Sequence, residues 1–562
     1  MNDKPWLASY DTGVPDVINI PNVTLPELLA DTAKTFPNKT AAIFYNNKLS
    51  YKELDKAVTQ FAAGLQALGM QPGDRVAVYL PNSPQFIIAY YGILRAGGIV
   101  VPSNIQYVPR ELKHQFNDSG CKYVVALSKF YPNVREIRDQ TAVEHVIVTN
   151  IKEYFPRVLN VLFTLAKEKK EGHRVDISNE RGTHWFQDVL EIGEARGLEP
   201  VATSNEDTAL LGYTGGTTGV PKGAELTHRN LLANVYQLRA WDTEMRPGNE
   251  VVMGALPFFH SYGMSTAMNL GLSGGHALIL IPNPRDLTDV LKNVDKHKPT
   301  LFPAVPTLYT AINNYPDIDK YDLSSLRACL SGGAGLPIEV QKKFEEITGA
   351  FLVEGYGLTE TAPVACATPL RGKRKVGKIG LPVPSTEVKV VDGESGAEVE
   401  LGQPGELLIR GPQVMKGYWQ RPEETAETID DDGWLHTGDM GTMDEEGFFE
   451  IVDRKKDMII ASGYNIYPRE IEEVLYEHPK VLEAAVAGIP DEYRGETVKA
   501  FVVLKEGESA TAEDIMEFTA QRLAPYKRPR SVEFRDELPK SMVGKILRRV
   551  LVEEELKSRQ PA

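Results

Sequence analysis

The run Tyr213-Thr-Gly-Gly-Thr-Thr-Gly-Val-Pro-Lys222-Gly223 concentrates groups that bind phosphate. Gly215, Gly216 and Gly219 let the backbone come close to a ligand, Thr214, Thr217 and Thr218 add hydroxyl donors, and Lys222 adds a positive charge. The pattern G-x-x-x-x-G-K-[ST] cannot be laid on it, so Walker A machinery is disfavoured. A plain Gly-rich turn needs neither the threonines nor the lysine, so the composition favours phosphate binding. The loop follows the apolar Ala209-Leu-Leu211 and precedes a helix expected to start near Thr227. A second pattern, Gly271-Leu-Ser273-Gly-Gly275, formally satisfies G-x-S-x-G. A nucleophile elbow needs a strand followed by a helix, whereas residues 266–272 read as helix and residues 277–281 as strand, so a serine hydrolase is not supported. Cys121, Cys329 and Cys366 stand at no metal-ligand or redox spacing, which fits a reducing compartment without disulfides or a zinc site.

With that loop, five further stretches resemble, in order, the motifs of the acyl-adenylate-forming superfamily of acyl-CoA synthetases, luciferases and peptide-synthetase adenylation domains. They are Ser331-Gly-Gly-Ala-Gly335, Gly355-Tyr-Gly-Leu-Thr-Glu360, Asp432-Gly-Trp-Leu-His-Thr-Gly-Asp439, Asp453-Arg454 and Pro539-Lys-Ser-Met-Val-Gly-Lys545. Taken singly, Asp439, Glu360 or Lys545 reads as an ordinary surface residue; the ordered set overturns that. The resemblance spans nearly the whole chain. It implies an α/β fold with a large multi-sheet N-terminal body (1–453) that binds ATP and the acid, and a small mobile α/β C-terminal domain (454–562) that carries the catalytic lysine.

By the same resemblance, Tyr356 stacks on adenine beside Gly357, Gly332, Gly333 and Ala334 leave room for the ring, and Thr359 contacts phosphate. Glu360 is a hard oxygen ligand suited to Mg²⁺ on phosphates. Asp439 accepts hydrogen bonds from ribose hydroxyls, assisted by Arg454. Lys545 stands between a carboxylate and the α-phosphate, where neutralising two anions is electrostatic catalysis. His260 and Gly263, in Pro257-Phe-Phe-His-Ser-Tyr-Gly263, lie beside the acyl pocket, and a buried, satisfied His260 is compatible with that; it is not assigned as a base. Lys456 occupies the hinge position, and Ser462, Gly463 and Tyr464 lie along the CoA channel.

The implied reaction has two halves, formation of acyl-AMP and pyrophosphate from an acid and ATP, then displacement of AMP by the CoA thiol. The block from Asp432 continuing through Gly447-Phe-Phe-Glu-Ile-Val-Asp-Arg-Lys-Lys456 resembles the fatty acyl-CoA synthetase version, and residues 151–181 resemble an insertion of bacterial long-chain enzymes. A long-chain fatty acid is the leading substrate. Medium-chain or aryl acids stay open, because one methylene changes discrimination by only about 1 to 3 kcal/mol, as does an enzyme that delivers acyl-AMP elsewhere. From another class, the chain could be a catalytically silent nucleotide- or lipid-binding module, against which Lys545, Glu360 and Lys222 argue together.

These residues need a scaffold. A chain of 562 residues exceeds the roughly 250 to 300 that one core holds, so two or more domains are expected. The composition, 42% hydrophobic and 25% charged, is that of a globular protein. A strand over 75–80, an apolar helix over 85–95 and a strand over 98–102 form βαβ grammar, and strand runs recur at 121–127, 146–149, 301–305 and 326–330. Strands at 387–391, 405–410 and 447–452 suggest a compact β region, after which the charged string 453–457 reads as an exposed linker. Residues 251–284 lack Asp, Glu, Lys and Arg, but Pro257, Gly263, Gly271, Gly274 and Gly275 interrupt the run, which reads as core rather than a membrane span.

A formal charge of −15 disfavours nucleic acid as a partner. Residues 521–549 nevertheless hold nine Lys or Arg against three acids, either a solvated basic face or a seat for a polyanion. Residues 1–10 have no apolar run of the kind that secretion signals carry, so a cytoplasmic enzyme is expected. Val158, Leu159, Val161, Leu162 and Leu165 have helical spacing and are followed by Lys167, Lys169, Lys170 and Arg174. This amphipathic helix is expected to pack on the body, with a peripheral membrane contact as the alternative. Homodimers are common in the family, so a homodimer is compatible with the resemblance.

Overall fold

The computed structural model describes residues 4–214, 221–393, 395–454, 457–461, 464–491, 495–541 and 544–559. Short aliphatic runs become parallel strands buried on both faces, as their near-continuous hydrophobicity requires. In an eight-stranded sheet, Arg75–Tyr79 lies between Ile99–Pro102 and Tyr123–Leu127, followed outward by His145–Thr149 and Thr183–Trp185 on one side and Thr208–Thr214 on the other. A nine-stranded sheet carries the second half of the body. Its parallel centre runs through Thr40–Phe44, Ala277–Leu280, Val251–Gly254, Leu301–Ala304, Ala328–Ser331 and Phe351–Gly357.

The helix Pro84–Arg95 is buried from Pro84 to Leu94 because it is apolar all round, and such a helix must lie between layers. Its Phe86, Ile87 and Tyr90 join Ala42, Phe44 and Leu278 of one sheet to Val76, Val78 and Ala209 of the other in one hydrophobic cluster. The stretch 251–284 is protein interior: Val251–Gly254 and Ala277–Leu280 pair in parallel around buried helical turns. Ser273 ends the last of these turns, its hydroxyl donating to the Leu270 carbonyl at 3.1 Å, which is not an elbow. Among the described residues no helix is long and apolar enough to cross a membrane.

A four-stranded antiparallel sheet follows, ordered Glu387–Val391, Gly405–Arg410, Leu435–Met443 and Phe449–Arg454. A final sheet is built from Ile459–Ala461, Tyr464–Ile466, Gly495–Leu504 and Val481–Asp491, with Ser531–Phe534 paired to Gly495–Leu504. It has its own apolar clusters, one around Ile471, Leu475 and Val502 and one around Phe501, Leu538 and Leu551.

One local expectation holds and three are corrected. The helix expected near Thr227 forms as His228–Trp241 with Thr227 as its cap, and the strand Lys222–Thr227, antiparallel to Thr208–Thr214, stands between it and the phosphate-type loop. Asp453 and Arg454 are not exposed linker, since both close the strand Phe449–Arg454 and Asp453 is buried. The basic stretch 521–549 is largely consumed by ion pairs, Lys527 with Glu470, Lys540 with Glu483, Arg535 with Glu554 and Arg548 with Glu472. The helix Arg157–Ala166 forms, but only Phe163 of it is buried.

Two buried histidines tie the layers and carry a pH consequence. His228 Nδ1 accepts from the Leu25 N–H at 3.4 Å, and His276 Nδ1 accepts from the Glu250 N–H at 3.3 Å, so both rings must be neutral. Burial pushes each down to about 4. The unfolded chain protonates its histidines near 6.5, so between those values it binds more protons than the folded state and stability falls as pH drops. We expect a loss on the order of 3 kcal/mol per ring by pH 4. Thermal unfolding followed by circular dichroism from pH 7 to 4.5 should show a falling midpoint, flatter in the His228→Gln/His276→Gln variant. An identical slope in that variant would remove these rings as the cause.

Candidate active site

Neighbouring parallel strands deliver backbone turns at their carboxyl ends, which is where open α/β sheets bind ligands. Ala328–Ser331 ends in Gly332 and Gly333, its partner Phe351–Gly357 ends in Gly355-Tyr356-Gly357, and all five residues line a cleft of about 1510 Å³. The Tyr356 hydroxyl donates to Asp439 Oδ2 at 2.7 Å, so the carboxylate on Leu435–Met443 fixes the ring. Burial, and then this carboxylate, hold the phenol well above its ordinary range and therefore protonated. Asp439 is itself buried and, like Gly263 and Ala334, is not on the cleft wall, which Thr437 reaches instead.

A second wall comes from the Thr208–Thr214/Lys222–Thr227 hairpin and the turn Thr359–Thr361. Thr214, Lys222, Thr359 and Glu360 all face the cleft. Gly212 permits this approach: a Cβ there would stand 2.6 Å from Thr359 Cγ2. The Thr359 hydroxyl lies 3.4 Å from the Ser261 hydroxyl. Sequence reasoning missed Tyr418, on the two-residue strand Gly417–Tyr418 that pairs with Lys222–Thr227. Its hydroxyl donates to Glu360 Oε1 at 2.9 Å, and Lys222 Nζ sits 5.2 Å from its ring centroid, a cation–π contact. Nothing in the local pattern around Tyr418 marks it; only the pairing of distant segments does.

The third wall comes from the C-terminal part of the chain. The Ser541 N–H donates to the Lys545 carbonyl at 2.8 Å, and the Lys545 N–H donates to Ser541 Oγ at 3.2 Å, closing a tight turn. Gly544, at φ +69°, presses this turn on the body, where a Cβ would lie 2.2 Å from Thr307 Oγ1. Glycine alone meets both demands. Lys545 thereby lines the same cleft as Tyr356 and Glu360 and comes beside His260. Burial, and then the Lys545 ammonium, push His260 down to about 4, so the ring is neutral at physiological pH. Its Nδ1 accepts from the Tyr262 N–H at 3.3 Å.

Gly215, Gly216, Thr217, Thr218, Gly219, Lys456, Ser462 and Gly463 lie outside the described residues. Of Arg454 and Tyr464 the backbone is described, Arg454 pairing opposite Asp439 and Tyr464 opposite Ala461. Among the described residues no three His, Cys, Asp or Glu side chains gather into a metal-binding group. A cation held by Glu360 would draw its remaining oxygens from substrate phosphates and water, which is how Mg²⁺ commonly binds.

A cleft with a ring-and-glycine slot, a hydroxyl-rich wall and a lysine on a separately folded unit can bind a nucleoside triphosphate and bring a cation to its phosphates. Comparison with known proteins agrees. The model of the AMP-binding enzyme family matches residues 29–419, and that of the AMP-binding enzyme C-terminal domain matches residues 470–545. A long-chain-fatty-acid–CoA ligase of Bacillus subtilis (strain 168) is 49% identical over 99% of this chain and 98% of its own length. One of Escherichia coli O157:H7 is 44% identical over 98% of both. Among solved structures, the anthranilate CoA ligase AuaEII in complex with anthranoyl-AMP superimposes with a TM-score of 0.85 at 27% identity, over 97% of this chain and 99% of that one. Body and C-terminal unit together, this chain belongs to the AMP-binding enzyme family.

Proposed function

We propose that this protein joins a long-chain fatty acid to coenzyme A at the expense of ATP, through an acyl-AMP intermediate, releasing AMP and pyrophosphate. The observation that carries the reading is the Lys545 turn seated in the cleft that holds Tyr356, Thr359 and Glu360. The near-full-length identity to long-chain-fatty-acid–CoA ligases supports the acid and CoA as substrates.

In the first half-reaction a carboxylate oxygen attacks the α-phosphorus, the bond from that phosphorus to the bridging oxygen breaks, and pyrophosphate departs. The Lys545 ammonium offsets repulsion between the carboxylate and the phosphate and the charge that builds on the phosphoryl oxygens. Neutral His260 adds no second charge to the acyl side. Tyr356 supplies the adenine face, with Gly332, Gly333 and Gly357 leaving room and Ala334 beside them. Asp439, with Arg454, takes the ribose, which requires the Asp439 carboxylate to exchange its Tyr356 partner or share it. Thr214 and Lys222 hold phosphate together with Gly215, Gly216, Thr217, Thr218 and Gly219.

Mg²⁺ fits Glu360, where it would supply charge neutralisation on the phosphates. In the second half-reaction the CoA sulfur attacks the acyl carbonyl, the carbon–oxygen bond to AMP breaks, and the thiol proton is lost. We place the boundary between body and C-terminal domain at 453/454, with Lys456 as hinge and Ser462, Gly463 and Tyr464 along the CoA path. His260 and Gly263 border the acyl chain.

Pyrophosphate and acyl-CoA formation should be measured with ATP, Mg²⁺ and CoA across acids from acetate to oleate, plus benzoate. The expected maximum is at long chains, and Lys545→Ala should slow the first half-reaction by about 10²- to 10³-fold. No pyrophosphate from any acid would sink the ligase reading, whereas a maximum at acetate or benzoate would sink the substrate alone.

Tyr418 serves this reaction as a positioning residue. Tyr418→Phe keeps the ring under Lys222 and removes the hydroxyl that donates to Glu360. The Mg²⁺ concentration for half-maximal adenylation should rise about tenfold, while thioester formation from supplied acyl-AMP is unchanged. An unmoved Mg²⁺ titration would refute the positioning role.

A further inference from the structure

The helix Arg157–Ala166 turns most of its apolar side chains outward, with only Phe163 buried and Leu159 half-buried against the body. Phe163 points inward, edge-to-face with Phe155 at 5.4 Å and against His173 at 5.5 Å. Two polar side chains also face the body: Asn160 Nδ2 donates to the Lys152 carbonyl at 2.7 Å, and Thr164 accepts from Lys152 Nζ at 2.9 Å. The opposite face carries Val158, Val161, Leu162 and Leu165, which are 74%, 57%, 57% and 81% exposed. Their spacing of i, i+3, i+4 and i+7 makes one stripe. Single exposed apolar residues are ordinary, whereas four in one stripe form a patch that marks an interaction site.

The charges around the stripe are mostly positive. Arg157 opens the helix, no acid lies within it, and the exposed Lys167, Lys169, Lys170 and Arg174 follow, in a protein whose net charge is −15. Glu168 is turned inward to Lys152 at 2.6 Å, and Glu171 pairs with Lys167 at 3.5 Å. That leaves Lys169 and Lys170 without an ion pair among the described residues.

We propose that this helix docks the protein on an anionic lipid bilayer. It lies in the plane of the surface, with Val158, Val161, Leu162 and Leu165 at the boundary of headgroups and acyl chains and the flanking lysines on lipid phosphates. A second copy of the chain fits the face less well. A ten-residue helix is about 15 Å long, so it offers a small part of the roughly 800 Å² per partner that a stable interface needs. An antiparallel two-fold pairing would also set Arg157 of one copy against Lys169 and Lys170 of the other. The benefit of docking rests on the proposed fatty-acid substrate, because long-chain acids partition into bilayers. Docking itself requires no turnover, so its failure and that of the ligase reading are separable.

The test is flotation of the full-length protein, without ATP, CoA or acid, on vesicles of phosphatidylcholine mixed with phosphatidylglycerol and on phosphatidylcholine alone. Binding is expected on the mixed vesicles and should weaken with added salt. It should fall about tenfold or more in Leu162→Glu/Leu165→Glu and in Lys169→Glu/Lys170→Glu. Both variants touch exposed positions and should form acyl-CoA from detergent-dispersed acid at the unaltered rate, which shows that they fold. The proposal is overturned if the unaltered protein stays off the mixed vesicles, or if the leucine variant floats equally well. A dimer in sedimentation that the leucine variant dissociates, with no lipid binding, would assign the face to a second copy instead.

Discussion

In the proposed reaction two anions meet in this cleft, and that repulsion is the constraint around which the rest is arranged. A carboxylate and a phosphate about 4 Å apart repel by about 1 kcal/mol in water and about 4 kcal/mol at the effective dielectric of a protein surface. A cation fixed permanently in the wall would also bind the ground-state phosphates and gain little for the step itself. Here the cation is on a turn of a separately folded unit, and the turn reaches the cleft because Gly544 combines a left-handed backbone with contact at Thr307. His260, which feels the Lys545 ammonium, is neutral, and Glu360 is held on another wall by Tyr418.

Each wall is rigid for a different reason. The Gly332–Gly333 and Tyr356 turns extend two strands that are hydrogen-bonded in parallel and buried in the sheet, so the slot inherits the stiffness of the core. The hairpin wall is held from outside by the Gly417–Tyr418 pairing, and its neighbour Arg421 pairs with Asp118 at 2.6 Å. Asp118 also accepts from the Tyr213 hydroxyl at 2.7 Å, so the residue that opens the phosphate-type loop is tied to the same cluster. These contacts join segments 95 to 303 residues apart in the chain.

That distance explains what the sequence made legible and what it did not. The motifs at Ser331, Gly355 and Lys545 are readable because each packs its glycines, hydroxyls and charges into a few consecutive residues. The central strands are readable from near-continuous apolar runs such as Arg75–Tyr79 and Tyr123–Leu127. The strand Lys222–Thr227 is not, because Lys-Gly-Ala-Glu-Leu-Thr lacks a β-branched run and owes its extended form to its neighbours. Tyr418 is invisible because its partners, Glu360 and Lys222, are remote in sequence. The helix Arg157–Ala166 is legible as an amphipathic element but with the wrong side inward, since a stripe shows that two faces differ without saying which one the body covers. The basic stretch near the end looks open because the acids that neutralise it, Glu470, Glu472 and Glu483, lie in other elements.

The contact between the body and the C-terminal unit follows from the same constraint. Glu354, buried on Phe351–Gly357, faces Arg469 of the helix Pro468–Tyr476 at 3.7 Å. Burial pushes the carboxyl up to about 7 while Arg469 pulls it down, so desolvation offsets much of the attraction. An apolar seam in its place would hold harder, and would expose hydrophobic surface whenever the units parted. The C-terminal sheet keeps its apolar clusters to itself, so a polar contact of this kind can open at modest cost. In the proposed reaction, a unit that offers an ammonium to one half-reaction and withdraws it for the next needs a seat strong enough to position Lys545 and weak enough to leave.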